Sequence, residues 1–184
     1  MTRHCVIFIQ GGGEGANEAD ALLADSLKRS LEPGYDLRYP SMPNEADPDV
    51  ALWKSKISET LSRAQGSVTL VGHSIGGSIL LRYLAEETPA RSIAGLFLLA
   101  APTWDGAQWN FEDLKLPDDI AGRLAGIPRI VLYHCRDDEV VPFAHLALLG
   151  ERLPRALLRS IDRGGHQFGN DLTGLAEDIR AGES

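Results

Sequence analysis

The sequence predicts an α/β fold in which a parallel β-sheet is covered by helices on both faces. Short apolar runs, several of them continuously apolar, alternate with stretches of helical periodicity along all 184 residues. Strands that are buried on both faces have this continuously apolar composition. Because each run is followed by a helical stretch, successive strands are expected to be parallel. At about 150 residues per domain, residues 1–184 are expected to form a single domain.

Six apolar runs mark the predicted strands. These are Cys5–Ile9, Tyr35–Tyr39, Val68–Val71, Ile93–Ala100, Ile130–His134 and Ala156–Ile161. Four of the intervening stretches repeat apolar residues at the three- and four-residue spacing of one helix face. These stretches begin near Leu22, Val50, Ile75 and Leu172. Asp47-Pro48 predicts the start of the second helix, because aspartate caps helices and proline fits their first turn. A shorter helix is predicted over Pro117–Ala125.

Composition and charge exclude several classes of protein. The chain carries 18 Lys and Arg against 26 Asp and Glu, a net charge of -8, and it has no basic tract. We therefore expect neither a nucleic acid nor a membrane as partner. The longest apolar stretch, near 93–101, is half of the ~20 residues that a membrane-spanning helix needs. With only Cys5 and Cys135, neither a disulfide scaffold nor a zinc site is expected, and we predict a cytoplasmic protein with no cofactor, as a monomer or weak homodimer.

The motif Gly72-His73-Ser74-Ile75-Gly76 lies between a predicted strand and a predicted helix. This G-x-S-x-G arrangement at a strand–helix junction is typical of a nucleophile elbow, a sharp turn that lifts a serine hydroxyl above the sheet. Ser74 is therefore the predicted nucleophile, and the alternative is a plain tight turn. The backbone N–H of Ile75, at the helix N-terminus, is a predicted oxyanion donor.

A serine nucleophile requires a general base. His166 follows the sixth predicted strand in a Gly164-Gly165 turn, just before the last helix, and it is the predicted base. The alternative is a surface histidine in a loop. His73 lies inside the G-x-S-x-G turn, and its ring is expected to shape the pocket.

The acid that orients the base should follow the fifth strand, where Asp137 and Asp138 are adjacent. Asp138 is favoured because it precedes Val141-Pro142 in a D-x-x-V-P pattern, just before a helix. Asp137 remains the alternative, with helix capping as its other possible role. The chain order Ser74…Asp138…His166 is that of α/β-hydrolases.

A glycine-rich turn follows the first predicted strand, where Gln10 is succeeded by Gly11, Gly12 and Gly13. Bare backbone amides there are expected to supply a second oxyanion donor, with Gly12 favoured and Gly13 as the alternative. Gly11-x-Gly13-x-x-Ala16 also fits a dinucleotide-binding fingerprint, with Asp36 as the acidic partner. Asp36 is at the start of its strand, however, whereas the ribose contact requires the end of a strand.

One segment, 103–116, interrupts the strand–helix alternation and carries Trp104, Trp109 and Phe111. We predict a short lid-like insertion whose aromatic side chains form the wall of a substrate pocket. The alternative is a loop whose aromatic rings fold back on the core.

Taken with the glycine loop and Trp53, these motifs resemble the small serine hydrolases of the α/β-hydrolase superfamily, the retinoblastoma-binding type and its bacterial relatives. The resemblance covers nearly the whole chain. It implies a compact three-layer fold with six parallel strands in the order 2-1-3-4-5-6 and a short lid. It also implies a triad of Ser74, Asp138 and His166. Gln10 stands where larger relatives often have a histidine, and we expect it to line the pocket.

The predicted activity is hydrolysis of small or short-chain carboxylic esters through an acyl-enzyme, without metal or cofactor (EC 3.1.1). The competing class is a non-catalytic or signalling protein that keeps the site as a binding pocket, since a fold alone does not establish turnover. Thioesterase, amidase and acyltransferase activities would use the same residues.

Overall fold

Six parallel strands form one sheet in residues 4–182, the part of the chain that the computed structural model describes. The strands are β1 (His4–Ile9), β2 (Tyr35–Arg38), β3 (Val68–His73), β4 (Ile93–Leu99), β5 (Ile130–Cys135) and β6 (Leu157–Ile161). Their spatial order is β2-β1-β3-β4-β5-β6, and every neighbouring pair is parallel. The predicted sheet and its strand order are confirmed.

Helices cover both faces of this sheet. They are α1 (Ala16–Leu31), α2 (Val50–Ser62), α3 (Ile75–Glu86), α4 (Ile120–Arg123), α5 (Ala144–Arg152) and α6 (Thr173–Ala181). Leu27 of α1 and Leu175 of α6 belong to one apolar cluster. Trp53 of α2, Ile79 of α3 and Leu146 of α5 belong to the other. Each side of the sheet therefore has its own core, which explains why the inner strands β3 and β5 are buried along their whole length.

Two helix boundaries differ from the prediction. Helix α2 is capped by Asp49 rather than Asp47, and the Asp49 carboxylate accepts a hydrogen bond from the Leu52 N–H at 2.9 Å. Asp47 instead closes the preceding turn, where its carbonyl accepts from the Asn44 side chain. Helix α4 is shorter than Pro117–Ala125 because the chain beside it is tied by i to i-3 bonds, such as Ile120 N–H to Pro117 O.

The carboxyl ends of β1, β3, β5 and β6 lead into the segments that carry the predicted site residues. In a parallel sheet these ends share one edge, which is where open α/β sheets place their sites. Cys5 and Cys135 are both buried free thiols. Within residues 4–182, no helix combines the length and the hydropathy needed to cross a membrane.

Candidate active site

Ser74 occupies a strained turn between β3 and α3. Its backbone has φ 53° and ψ -130°, a conformation that non-glycine residues seldom adopt. A Cβ on Gly72 would lie 2.7 Å from the Gly77 Cα, and one on Gly76 would lie 2.0 Å from the Gln10 carbonyl oxygen. Glycine is therefore required on either side of the serine. This is the geometry of a nucleophile elbow, with the serine immediately before the first turn of a helix.

The glycine loop after β1 lies against the start of α3. A Cβ on Gly12 would be 2.9 Å from Cγ2 of Ile75. The amides on either side of Gly12 are already engaged: Gly11 N–H donates to Asp20 Oδ2 at 2.7 Å, and Gly13 N–H donates to Glu45 O at 2.6 Å.

Two backbone amides are left with no acceptor where this loop meets α3. Within residues 4–182, the Gly12 N–H has no hydrogen-bond acceptor. Ile75 is the first residue of α3, a position whose N–H has no acceptor inside the helix. The two free donors therefore belong to adjacent segments beside Ser74.

His166 and Asp138 form a close pair across the loops that follow β5 and β6. The His166 Nδ1 lies 2.9 Å from Asp138 Oδ2 and 3.1 Å from Oδ1. The Asp138 side chain is fully buried, and Oδ1 also accepts from the backbone N–H groups of Val140 and Val141, both at 2.8 Å. Nε2 of His134 is 3.2 Å from Oδ2.

These contacts keep Asp138 ionised. Burial by itself would raise the pKa of this carboxyl, but hydrogen bonds from His134, His166 and Val140 outweigh burial and hold that pKa well below its usual range. An ionised carboxylate accepts the Nδ1–H of a neutral histidine, which leaves Nε2 as the free basic nitrogen.

The two acids beside Asp138 hold the loop that carries His166. Asp137 accepts from the Gly165 N–H at 2.9 Å and from the Gly164 N–H at 3.3 Å. Glu139 accepts from the backbone N–H of His166 at 3.0 Å. Asp137 therefore anchors the loop backbone and has no contact with the imidazole, and its alternative role as a helix cap is not seen.

The position of His166 relative to Ser74 is set through His73, which precedes Ser74. The His73 and His166 rings are 4.6 Å apart between centroids. The His73 Nε2 lies 2.9 Å from the carbonyl oxygen of His166. No hydrogen bond joins the Ser74 hydroxyl to the His166 ring within residues 4–182. Such bonds are often long until substrate binds.

Comparison with known proteins places this site in a family. A family model described as "Serine hydrolase" matches residues 35–169, which is more than half of the chain. The chain belongs to this serine hydrolase family. The matched region includes the Ser74 turn, the acidic loop after β5 and the loop carrying His166.

Two curated proteins are similar to this serine hydrolase at about a quarter sequence identity. It is 24% identical over 180 residues to the serine hydrolase RBBP9 of Rattus norvegicus, with 90% of this chain and 88% of that protein covered. It is 25% identical over 148 residues to the putative hydrolase YdeN of Bacillus subtilis, with 76% and 74% covered.

Solved structures show the same fold. The crystal structure of the ydeN gene product from B. subtilis has a TM-score of 0.79 at 20% identity, with 99% of both chains covered. An esterase from Exiguobacterium antarcticum has a TM-score of 0.69 at 17% identity, with 100% of this chain and 93% of that chain covered. The hydrolase fold is thus shared well beyond close relatives.

Two residues of this serine hydrolase that are predicted to line a substrate pocket have fully buried side chains instead. Gln10 is 0% exposed, and its amide group bonds to Glu45, Asn17 and the Met42 N–H. His73 is 1% exposed, with its ring held between Asp20 and the His166 carbonyl. Because neither side chain reaches solvent, both support the loops of the site rather than contact a ligand in this structure.

The three aromatic residues of the 103–116 segment have different surroundings. Trp104 packs on the main core and makes edge contacts with Trp109 and Phe111. Trp109 contacts the ring of His145, a buried residue that also accepts a hydrogen bond from the Thr103 N–H. Phe111 is exposed and lines a cleft of about 510 Å³. The two predicted alternatives thus apply to different rings, since Trp104 folds back on the core and Phe111 faces a cleft.

The most consequential residue that sequence reasoning missed is Asp20. It is 1% exposed and bonds to Gly11, His73 and Gln167, which lie on three different loops of the site. A signal was present, because Asp20 lies three, seven and eleven residues before Leu23, Leu27 and Leu31 on the apolar face of α1. A carboxylate on a buried helix face predicts a polar partner, because an unpaired buried charge is costly.

Proposed function

We propose that this serine hydrolase cleaves carboxylic esters through an acyl-enzyme formed on Ser74. Ser74 Oγ attacks the acyl carbonyl while His166 Nε2 takes the hydroxyl proton. Asp138 fixes the imidazole and stabilises its cation. The alcohol leaves with the proton from His166, and a water activated by the same nitrogen releases the acid.

The observation that carries this proposal is the pairing of His166 Nδ1 with the buried, ionised Asp138 at 2.9 Å, on the loop that His73 ties to the Ser74 turn. A histidine that only capped a surface loop would not need a buried carboxylate on one ring nitrogen. The pairing leaves the second nitrogen free for proton transfer, as a general base requires.

The free amides of Gly12 and Ile75 support an oxyanion hole between the glycine loop and α3. Gly13, the alternative donor, has its N–H engaged with Glu45 O. Each donor aimed at a developing oxyanion is worth about 3 kcal/mol of transition-state stabilisation. Gly12 is therefore the proposed second donor.

The cleft next to this loop favours small or short acyl groups. It is lined by Pro48, and a Cβ on Gly12 would lie 2.7 Å from Cγ of that proline, so the cleft adjoins the glycine loop. Four of the six ionisable residues that line the cleft are carboxylates, so the negative charges outnumber the positive ones. The ionisable lining residues are Asp47, Asp49, Lys54, Arg82, Glu86 and Asp113. Burying a long alkyl chain against these groups would desolvate them without compensation.

An activated serine is expected to react with a fluorophosphonate probe at neutral pH. The protein should be labelled at Ser74, as located by peptide mass spectrometry, and Ser74→Ala should abolish labelling. Ser78→Ala is the matched control, because Ser78 lies one turn further along α3 with its hydroxyl bonded to Pro102 O. That variant should be labelled like the parent. A folded parent protein that takes up no probe would favour a binding module and end the proposal.

A series of p-nitrophenyl esters is expected to show the highest kcat/KM for acetyl and butyryl chains. The value should fall steadily from hexanoyl to dodecanoyl, because much of the cleft lining is charged and the added methylenes would bury little apolar surface there. Measurements below the critical micelle concentration of each ester keep the comparison one of monomeric substrates. Better turnover of the long chains would refute the proposed acyl specificity while leaving the hydrolase mechanism in place.

A further inference from the structure

Asp20 has three hydrogen-bond partners in the site. Its Oδ2 is 2.7 Å from the Gly11 N and 2.8 Å from His73 Nδ1, and its Oδ1 is 3.0 Å from Gln167 Nε2. Gly11 precedes the proposed oxyanion donor Gly12, His73 precedes Ser74, and Gln167 follows His166. One carboxylate therefore bonds to the chain neighbour of each of the three residues that would have to act together, Gly12, Ser74 and His166.

The ring of His73 extends this connection to the backbone of the general base. Its Nε2 lies 2.9 Å from the carbonyl oxygen of His166, and its Nδ1 faces Asp20. A carbonyl oxygen only accepts hydrogen bonds, so Nε2 must carry a proton. An ionised carboxylate also only accepts, so Nδ1 must carry one as well. The arrangement is thus satisfied by an imidazolium paired with a carboxylate.

The surroundings of Asp20 favour its ionised form. Burial raises the pKa of the Asp20 carboxyl, but the hydrogen bonds from His73, Gly11 and Gln167 act in the opposite direction, and that pKa lies below its usual value. The titratable groups that face His73 are Asp20 from α1 and the His166 ring from the loop after β6.

A buried ion pair is costly compared with apolar residues of the same size, so stability alone does not account for this one. The rest of the α1 face is packed with Leu23, Leu27 and Leu31, and a further apolar residue at position 20 would continue that pattern. What the pair adds is a set of directed bonds to loops that apolar packing would leave free to shift.

From this we infer that Asp20 and a doubly protonated His73 form a buried ion pair that positions the nucleophile turn, the oxyanion loop and the His166 loop relative to one another. Both are positioning residues, since neither side chain is exposed to a substrate. This inference rests on the proposed function for its catalytic consequence, whereas the charge state of the pair is independent of it. A misplacement of about 1 Å among reacting groups costs on the order of 100-fold in rate.

The test is Asp20→Asn, with Asp25→Asn as the matched control. Asp25 lies on the exposed side of the same helix. Asparagine at position 20 removes the charge that pairs with His73 and leaves one oxygen to accept where two carboxylate oxygens accepted before. The bonds to the three segments should therefore weaken, and the loops should separate. We expect kcat for a short-chain p-nitrophenyl ester to fall about 10- to 100-fold while KM stays within about twofold, because Asp20 bonds to none of the residues that line the cleft. Asp25→Asn should match the parent in both constants.

A second measurement, the 15N NMR shifts of the His73 ring, detects the protonation state of the pair directly. In the uniformly 15N-labelled parent at pH 7, both ring nitrogens of His73 should have protonated shifts, and one should lose its proton in Asp20→Asn. A neutral His73 in the parent, or a folded Asp20→Asn with parental kcat, would overturn the inference. If Asp20→Asn does not fold, Gln167→Leu removes only one of the three bonds; a smaller kcat loss at constant KM then supports the inference, and an unchanged kcat contradicts it.

These measurements also separate the two proposals. A parent protein that neither hydrolyses esters nor reacts with fluorophosphonate disproves the proposed function. The 15N shifts then still test whether His73 is doubly protonated, and amide hydrogen exchange tests whether the pair holds the three loops in place. Exchange at Gly11 and His166 should accelerate in Asp20→Asn and stay unchanged in Asp25→Asn, and equal exchange in the two variants would count against positioning.

Discussion

Replacing Ser74 with alanine is expected to reduce kcat for ester hydrolysis about 10⁵- to 10⁶-fold, and His166→Ala is expected to cost nearly as much. Without the hydroxyl there is no acyl-enzyme, and without the imidazole there is no acceptor for the hydroxyl proton. The residual rate would come from the free amides of Gly12 and Ile75, which still stabilise an oxyanion when water attacks directly.

The double variant distinguishes a cooperating pair from two independent contributors. Ser74 and His166 act on the same proton, so combining the changes should cost little more than either one alone. Steady-state kinetics of the two single variants and the double variant make the comparison, with thermal unfolding as a check that all three are folded. Losses that multiply in the double variant would show that the two side chains do not share one step.

The fold was predictable because local and global signals agree along this chain. Strands β3 and β5 are buried along their whole length, and β3 leads directly into a turn that requires glycine at positions 72 and 76. Because side chains at positions 72 and 76 would clash with neighbouring backbone, the five-residue motif predicts the strained backbone conformation of Ser74. Helix starts were harder to predict. Asp47 and Asp49 are equally good caps by residue type, and the hydrogen bonds of the preceding turn determine that Asp49 caps α2.

The support beneath the site was not predictable in the same way. Gln10 is predicted to line the pocket from its position in the resemblance, and His73 from its place inside the G-x-S-x-G turn, yet their bonds to Glu45 and Asp20 bury both side chains. These partners are 35 and 53 residues away in the chain, so only the tertiary fold brings them together. His145 of α5 is buried in the same way, by a bond to Thr103 that lies 42 residues away in the chain.

Asp137 and Asp138 are adjacent, but their contacts lead to very different expectations for the same substitution. Asp138→Asn should lower kcat on the order of 10⁴-fold. An amide oxygen would still accept from the Val140 and Val141 N–H groups, but the NH2 would then face His166 Nδ1 and His134. To accept that NH2, His166 must move its proton to Nε2, which removes the free base.

Asp137→Asn should lower kcat less than about 10-fold. The amide oxygen of asparagine still accepts from the Gly165 N–H, and its NH2 replaces only the longer 3.3 Å bond from the Gly164 N–H. Because the side chain is exposed, losing that one bond should cost little. The two variants differ by one position and by the same chemical change, which makes each the control for the other. Kinetics with a short-chain ester, together with 15N shifts of the His166 ring, would record both the rate and the tautomer. The opposite ranking, with Asp137→Asn the more damaging change, would move the orienting acid to Asp137 and require the loop after β5 to rearrange during turnover.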